Sequence, residues 1–334
     1  MQRIKNFARK PASVCIILYI LTFIVYAAVQ GRFALTPFGI SVLLNNSMSL
    51  ALVAAALTFV VLTGGFDLSV AGTVALSNSI LASLALNGVI GAVGDFFLVC
   101  FVGALVGLLN GIFVAYLRLQ SIAVTLGTML VTSGVALLVL QAPGGQVSSF
   151  ITDPLTGRIG PIPVAAIILV LVAVILWFIL TYTKFGINIF AIGQDRTAAR
   201  ACGIAVQRIE LGAYIASGIV AGLSGFMMSA ETGTGDPRYN SSFLLLAFAS
   251  VAIGGTSFRG GRGGVIGSIV GACLLVLIQK MLFAFGVSSF LTGIFEGCLM
   301  IIAVLIGTFS LKLSAHRSPK PERLSAAATA RMAK

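Results

Sequence analysis

Apolar stretches, cut wherever charged or turn-forming residues cluster, run approximately over 13–30, 46–62, 70–87, 96–117, 122–140, 163–181, 209–229, 242–254, 264–285 and 290–311. Most approach the length of about 20 residues that a helix rising 1.5 Å per residue needs to cross a hydrocarbon core of about 30 Å. The pattern therefore predicts an all-α polytopic membrane protein with about ten transmembrane helices. Composition removes the alternatives: of 334 residues 58% are hydrophobic and 9% charged, with a mean hydropathy of +1.09, whereas soluble chains carry roughly 25% charged residues. Cys15, Cys100, Cys202, Cys273 and Cys298 show no paired spacing, which excludes a disulfide scaffold and marks them as small core residues.

Charge orients the helices. The first stretch follows Arg3, Lys5, Arg9 and Lys10 without a convincing cleavage site before Gln30, and reads as an uncleaved anchor. With the N-terminus in the cytoplasm, the inner segments hold 17 of the 21 Lys and Arg, and the outer ones only Arg32, Arg158 and Arg238. That is the positive-inside bias, and it places both termini in the cytoplasm. The net charge of +12 is then topology signal plus attraction to anionic membrane lipid, and calls for no nucleic-acid partner. Residues 1–312 form the membrane domain. Residues 313–334, polar and basic with Pro319, Pro321 and a lone His316, read as a disordered cytoplasmic tail.

Two hydrophobic runs stop abruptly in glycine clusters, Thr63-Gly64-Gly65-Phe66-Asp67-Leu68-Ser69 and Gly254-Gly255-Thr256-Ser257-Phe258-Arg259-Gly260-Gly261-Arg262-Gly263-Gly264. Glycine permits sharp turns and close helix approach, and Asp67 and Ser69 can cap a new helix. Two readings stay open: helix breaks that line a pathway and gate it, or tight cytoplasmic turns. Gly103-x3-Gly107, Arg118, Ser121, Thr125 and Gly127 echo Gly267-x3-Gly271, Lys280, Ser288, Thr292 and Gly293 in a segment of opposite direction. The echo suggests inverted repeats over approximately 46–140 and 209–311, an arrangement found in alternating-access transporters. The longest inner loop, 182–208, contains Gly193-Gln194-Asp195-Arg196-Thr197-Ala198-Ala199-Arg200-Ala201-Cys202-Gly203. Asp195 can cap a short helix there and Gly203 can end it. Arg196 and Arg200 fall on one face, and Ala198, Ala199 and Cys202 form a low-profile surface that another protein could cover.

These residues carry a family resemblance over about 10–312. Thr63 to Ser69 resembles the Thr-Gly-Gly-hydrophobic-Asp-Leu-Ser signature of the permease subunits of bacterial ATP-binding-cassette importers, in the ribose-type branch that moves simple sugars. Thr125-Leu-Gly-Thr-Met129, Ala191 to Ile204 and Gly254 to Gly264 are similar to three further motifs of that family, in the same order. The chain departs at Ala71, where the family usually has glycine, at Thr197, often glutamate, and at Ser133, often arginine.

The resemblance implies a type II importer-like permease of the bacterial inner membrane that binds no cofactor of its own. No Gly-x4-Gly-Lys-Ser/Thr loop is present, so ATP and its Mg would be used by a partner ATPase subunit and the chain is not an enzyme. It further implies a second permease copy or paralogue, a periplasmic sugar-binding protein above, and contact of Gly193 to Gly203 with the ATPase below. For an uncharged sugar recognised through hydrogen bonds, Asn45, Asn46, Asn78, Asn110 and Thr132 are the candidate pathway residues; such groups also tie membrane helices together. The rival class is an ion-gradient-driven secondary transporter, for which Glu296 in the last stretch would serve as a proton relay unless it snorkels or pairs with Lys280.

Overall fold

A computed structural model describes residues 11–238 and 241–287, with 291, 294, 297 and 298 beyond them. Twelve helices follow in order: α1 Pro11–Gln30, α2 Pro37–Leu62, α3 Ser69–Leu84, α4 Gly88–Gly111, α5 Ser121–Val139, α6 Ser149–Thr156, α7 Val164–Tyr182, α8 Lys184–Gln194, α9 Arg196–Ala201, α10 Val206–Thr232, α11 Ser241–Ile253 and α12 Val265–Ala284. A two-stranded hairpin, Arg158–Ile159 with Ile162–Pro163, sits between α6 and α7. Seven helices, α1, α2, α4, α5, α7, α10 and α12, are long and apolar enough to cross a membrane; α3 and α11 are shorter apolar helices. Apart from 291, 294, 297 and 298, the expected span 290–311, with Glu296, lies outside the described residues, as does the tail with His316.

The second span begins earlier than expected, at Pro37 rather than residue 46. Thr36 caps it by accepting from the Gly39 N–H at 3.0 Å. Asn46 and Ser47 looked like a boundary, yet each satisfies itself on its own helix, donating to the Val42 and Leu43 carbonyls at 2.9 and 2.8 Å. From Ser47 to Leu62 every residue of α2 is buried, as expected of a helix apolar on all sides.

Helices α2 and α10 form the centre. Their most apolar windows are 72% and 67% buried, against 11% for α1 and 17% for α5, whose exposed Leu, Ile, Val and Phe face where lipid or another subunit would lie. α10 packs on α3 and α4, α2 packs on α11 and α12, and the two pack on each other. The α4–α10 crossing is the most extensive helix interface among the described residues. Glycines bring its backbones into direct contact, since a Cβ on Gly103, Gly107, Gly218 or Gly222 would overlap the Gly218, Tyr214, Gly103 or Val99 carbonyl respectively. The Gly267-x3-Gly271 pair packs elsewhere, against Ser250 of α11 and Gly254 just beyond its end. The two small-x3-small pairs thus pack against different helices.

Candidate functional site

The three glycine-rich or helix-capping motifs, distant in sequence, meet at one end of the bundle. The Gly261 N–H donates to the Leu62 carbonyl at 2.9 Å, joining the turn after α2 to the turn after α11. Gly193, at the end of α8, lies over both: a Cβ there would overlap the Leu62 carbonyl oxygen and the Gly261 nitrogen. Gly260, at φ 84°, faces the Gly64 nitrogen and Gly193, and any side chain there would be strained by that backbone and crowded by both neighbours. Aromatic packing reinforces the join, with Phe66 stacked on Phe258 at 5.9 Å and Phe248 at 6.1 Å from each. Arg259 and Arg262 are exposed, and their backbone does the structural work: the Arg262 carbonyl accepts from Ser257 at 2.9 Å. Arg118, Lys184, Arg196, Arg200 and Arg208 belong to the same end, hereafter the basic end.

The first break combines a tight turn with non-helical chain, and the second is a succession of turns. Residues 63–64 and 254–264 are tight turns, with Gly64 and Gly255 at φ 85° and 81°. Residues 65–68 instead run back along α10 as non-helical chain. The Tyr214 hydroxyl donates to the Phe66 carbonyl at 3.2 Å, and the Ser217 hydroxyl to Asp67 Oδ2 at 2.8 Å. Ser217 lies eleven residues into α10, about 16 Å along the axis. A buried carboxylate at that depth needs donors. Asp67 Oδ1 accepts from the Ser69 N–H and hydroxyl at 3.1 and 2.6 Å, and the network continues from Asn110 Nδ2 to Ser69 Oγ and from the Thr128 hydroxyl to Asn110 Oδ1, both at 2.7 Å. Four helices, α3, α4, α5 and α10, are thereby tied to one acid.

Within loop 182–208 the structure has two helices where one was expected. Asp195 caps α9 by accepting from the Thr197 and Ala198 N–H groups at 2.8 and 2.9 Å, and Gly203, at φ 81°, follows its end. The expected low-profile surface is corrected at Ala199, which is buried against Ile192 and Val206 and docks α9 on the membrane body. Ala198 and Cys202 are exposed, so Cys202 is no core residue. Gln194 and Arg200 are also exposed, while Arg196 turns back to pair with Glu210 at 2.6 Å. Glu210, Tyr214 and Ser217 were missed from sequence. Their i, i+4, i+7 spacing puts an acid, a phenol and a hydroxyl on one face of an apolar helix, and that was the available signal.

Asn78 and Asn110 tie helices together, whereas Thr132 bonds within its own helix. Asn110 belongs to the Asp67 network, and Thr132 donates to Thr128 and Met129 carbonyls in contact with Gly72. Asn78 holds the turn after α10, donating to Ser229 Oγ at 2.8 Å and the Thr234 carbonyl at 3.1 Å and accepting from the Asp236 N–H at 2.6 Å. Segment 144–147 covers that turn through Gly144–Gly235 pairing and a Val147 N–H to Gly233 bond of 3.0 Å. Asn45 and Asn46 are half-buried, Asn45 donating to the Thr156 carbonyl at 3.2 Å. Asn78→Ala removes three hydrogen bonds, among them the one made by the Asp236 N–H, and is expected to cost about 2 kcal/mol. Amide exchange at 233–236 should accelerate about thirtyfold; unchanged protection there would refute the tie.

Seven helices long and apolar enough to cross a membrane, with a shorter helix pair seated on their glycine turns, form the architecture of a polytopic membrane protein. Comparison with known proteins agrees. Residues 39–304 match the family described as the branched-chain amino acid transport system / permease component. The chain is 35% identical over 299 residues to the ribose import permease protein of Bacillus subtilis (strain 168), covering 86% of this chain and 90% of that one. It is 33% identical to the D-allose transport system permease protein of Escherichia coli (strain K12), covering 86% and 89%. It is 29% identical to the fructose import permease protein of Rhizobium meliloti, covering 94% and 90%. No solved structure matches. This chain belongs to that permease family.

Proposed function

We propose that the chain is the transmembrane permease subunit of an ATP-driven importer of a simple sugar, a monosaccharide or related polyol. The carrying observation is the meeting of Gly193, the Leu62–Gly65 turn and the Gly254–Gly264 turn beneath α9, whose Ala198, Arg200 and Cys202 are exposed. A partner ATPase gripping α9 would push on both turns, and through residues 65–68 on the Asp67 network between the central helices. Relatives named for ribose, allose and fructose support the sugar class. The solute would be delivered by a periplasmic binding protein to a pair of permeases, identical or paralogous. The distribution of Lys and Arg supports an inner-membrane protein with its basic end and both termini in the cytoplasm. The exchange of packing partners between α2 and α10 supports inverted repeats, as does the Gly-rich turn and Asp that follow each of them, ending at Asp67 and Asp236.

Uptake of labelled sugar into proteoliposomes holding the permease, its ATPase and its binding protein tests the reading. Vanadate should abolish uptake, whereas ionophores that collapse proton and sodium gradients should leave it intact; the reverse outcome establishes a secondary transporter. Ala198→Trp adds bulk on an exposed face of α9 and is expected to reduce uptake to background at normal membrane levels. Wild-type uptake by that variant removes the assignment of α9 to the ATPase.

A further inference from the structure

Between α4 and α5 the chain leaves its regular path. α4 runs into a π-helical turn, Ile112–Tyr116, and the Leu117 and Leu119 N–H groups return to the Ile112 and Phe113 carbonyls at 3.2 and 3.1 Å. Arg118 is thereby held at φ 57°, a left-handed conformation that a residue other than glycine adopts only against a steric cost. Strain of this kind and π turns both concentrate at functional positions. Here the bend brings Arg118 to a cavity of about 370 Å³ at the basic end, whose wall also holds Arg196, Arg200, Glu210, Ser121 and Tyr214.

The charges of this wall do not balance. Arg196 is paired with Glu210, and among the described residues no carboxylate lies within ion-pair distance of Arg118 or Arg200. Three guanidinium groups and one carboxylate leave a surplus of two positive charges around one small space. Arginine presents a planar fork of donors matched to phosphate oxygens. The rim is apolar on the membrane side: Leu119 lines the cavity, and Phe113, Tyr116, Leu117 and Ile122 beside it are exposed. A basic pocket between membrane helices, opening beside apolar side chains, suits an anion that carries hydrocarbon.

We propose that this cavity binds the phosphate group of an acidic phospholipid from the leaflet at the basic end. Arg118 and Arg200 donate to the phosphate oxygens, and the acyl chains lie along Phe113, Leu117 and Leu119. A soluble phosphomonoester would satisfy the same arginines but would leave the apolar rim unused. The bound lipid bridges the α4–α5 turn to α9, fastening the extramembrane helix to the membrane surface. The site is independent of the solute carried, although it shares Arg200 and the Thr63–Gly65 turn with the face proposed above for the ATPase.

Native mass spectrometry of the purified full-length protein, mixed with phosphatidylglycerol or phosphatidylcholine, reads the site without any transport measurement. Phosphatidylglycerol should be retained preferentially, and Arg118→Gln and Arg200→Gln should each weaken its binding about tenfold, with phosphatidylcholine unaffected. Arg118→Lys, which keeps the charge and loses the fork, should fall between. Arg158→Gln, beside Phe38 at the opposite end, should match wild type. Should Arg118→Gln fail to fold, Arg200→Gln on exposed α9 carries the test alone. Equal retention of phosphatidylglycerol by wild type and Arg200→Gln, or no preference over phosphatidylcholine, overturns the proposal. Displacement of the lipid by millimolar glycerol phosphate overturns it too, in favour of a soluble phosphate.

Discussion

Gly218→Leu is expected to eliminate folded protein. In the α4–α10 crossing the Gly218 carbonyl faces Gly103 and the Gly103 carbonyl faces Gly218, with Gly107 and Gly222 a turn away in each direction. Inside a bilayer the lipid tails are as apolar as the helices, so association depends on close packing rather than on expulsion of water. A leucine placed where two backbones touch cannot be absorbed by a side-chain rotation. It must part the helices, and the penalty should exceed the about 3 kcal/mol typical of an overpacked core. Parting them also pulls Ser217 from Asp67 and Asn110 from Ser69, bonds that now lie at 2.8 and 2.7 Å. Gly218→Ala should give an intermediate loss. Gly134→Leu, on the exposed face of α5 with open space around it, is the control and should purify normally. Size-exclusion chromatography and thermal melting in detergent check the series. A monodisperse Gly218→Leu protein melting near wild type would mean that the crossing is not as close as described.

Legibility in the sequence follows from which physical signal each feature leaves. Long apolar runs announce membrane helices, because hydrocarbon tolerates little else, and nine of the predicted stretches coincide with α1–α5, α7 and α10–α12. The boundaries failed where polar residues serve their own helix, as at Asn46 and Ser47, whose i−4 bonds are invisible to a hydropathy pattern. Helix α8 was missed because Lys184–Gln194 has glycines at 186 and 193, which read as loop until Gly193 is seen lying on the Leu62 carbonyl. The Asp195 cap left a local mark three residues long and was legible. The Asp67 network was legible only at its start, since Asn110, Thr128 and Ser217 come from three other helices and nothing in their spacing ties them to Asp67. Ala199 shows the same limit: an alanine on a short helix looks alike whether it docks inward or faces a partner, and only the positions of Ile192 and Val206 decide it.

Gly193→Leu is expected to leave the membrane body folded and to abolish transport. Gly193 closes the contact among three segments, covering the Leu62 carbonyl just where it accepts from the Gly261 N–H at 2.9 Å. A leucine there lifts α8 and α9 from the two turns or breaks that bond. The damage is confined to the end of the bundle, because the core helices α2, α4, α10 and α12 meet one another elsewhere. Melting should therefore shift modestly, by the about 1 to 3 kcal/mol of a local overpacking. The proposed drive, in contrast, passes wholly through this contact, and a partner ATPase can bias the permease only by interacting differently with its two states. With α9 detached from the turns that difference vanishes, so ATP hydrolysis should continue in the reconstituted complex while no longer being stimulated by the loaded binding protein, and sugar uptake should fall to background. Gly193→Ala, with one methyl to accommodate, should retain measurable uptake. Sugar flux and stimulated hydrolysis measured on the same proteoliposomes separate the outcomes: full uptake by Gly193→Leu would place the route of coupling somewhere other than this contact.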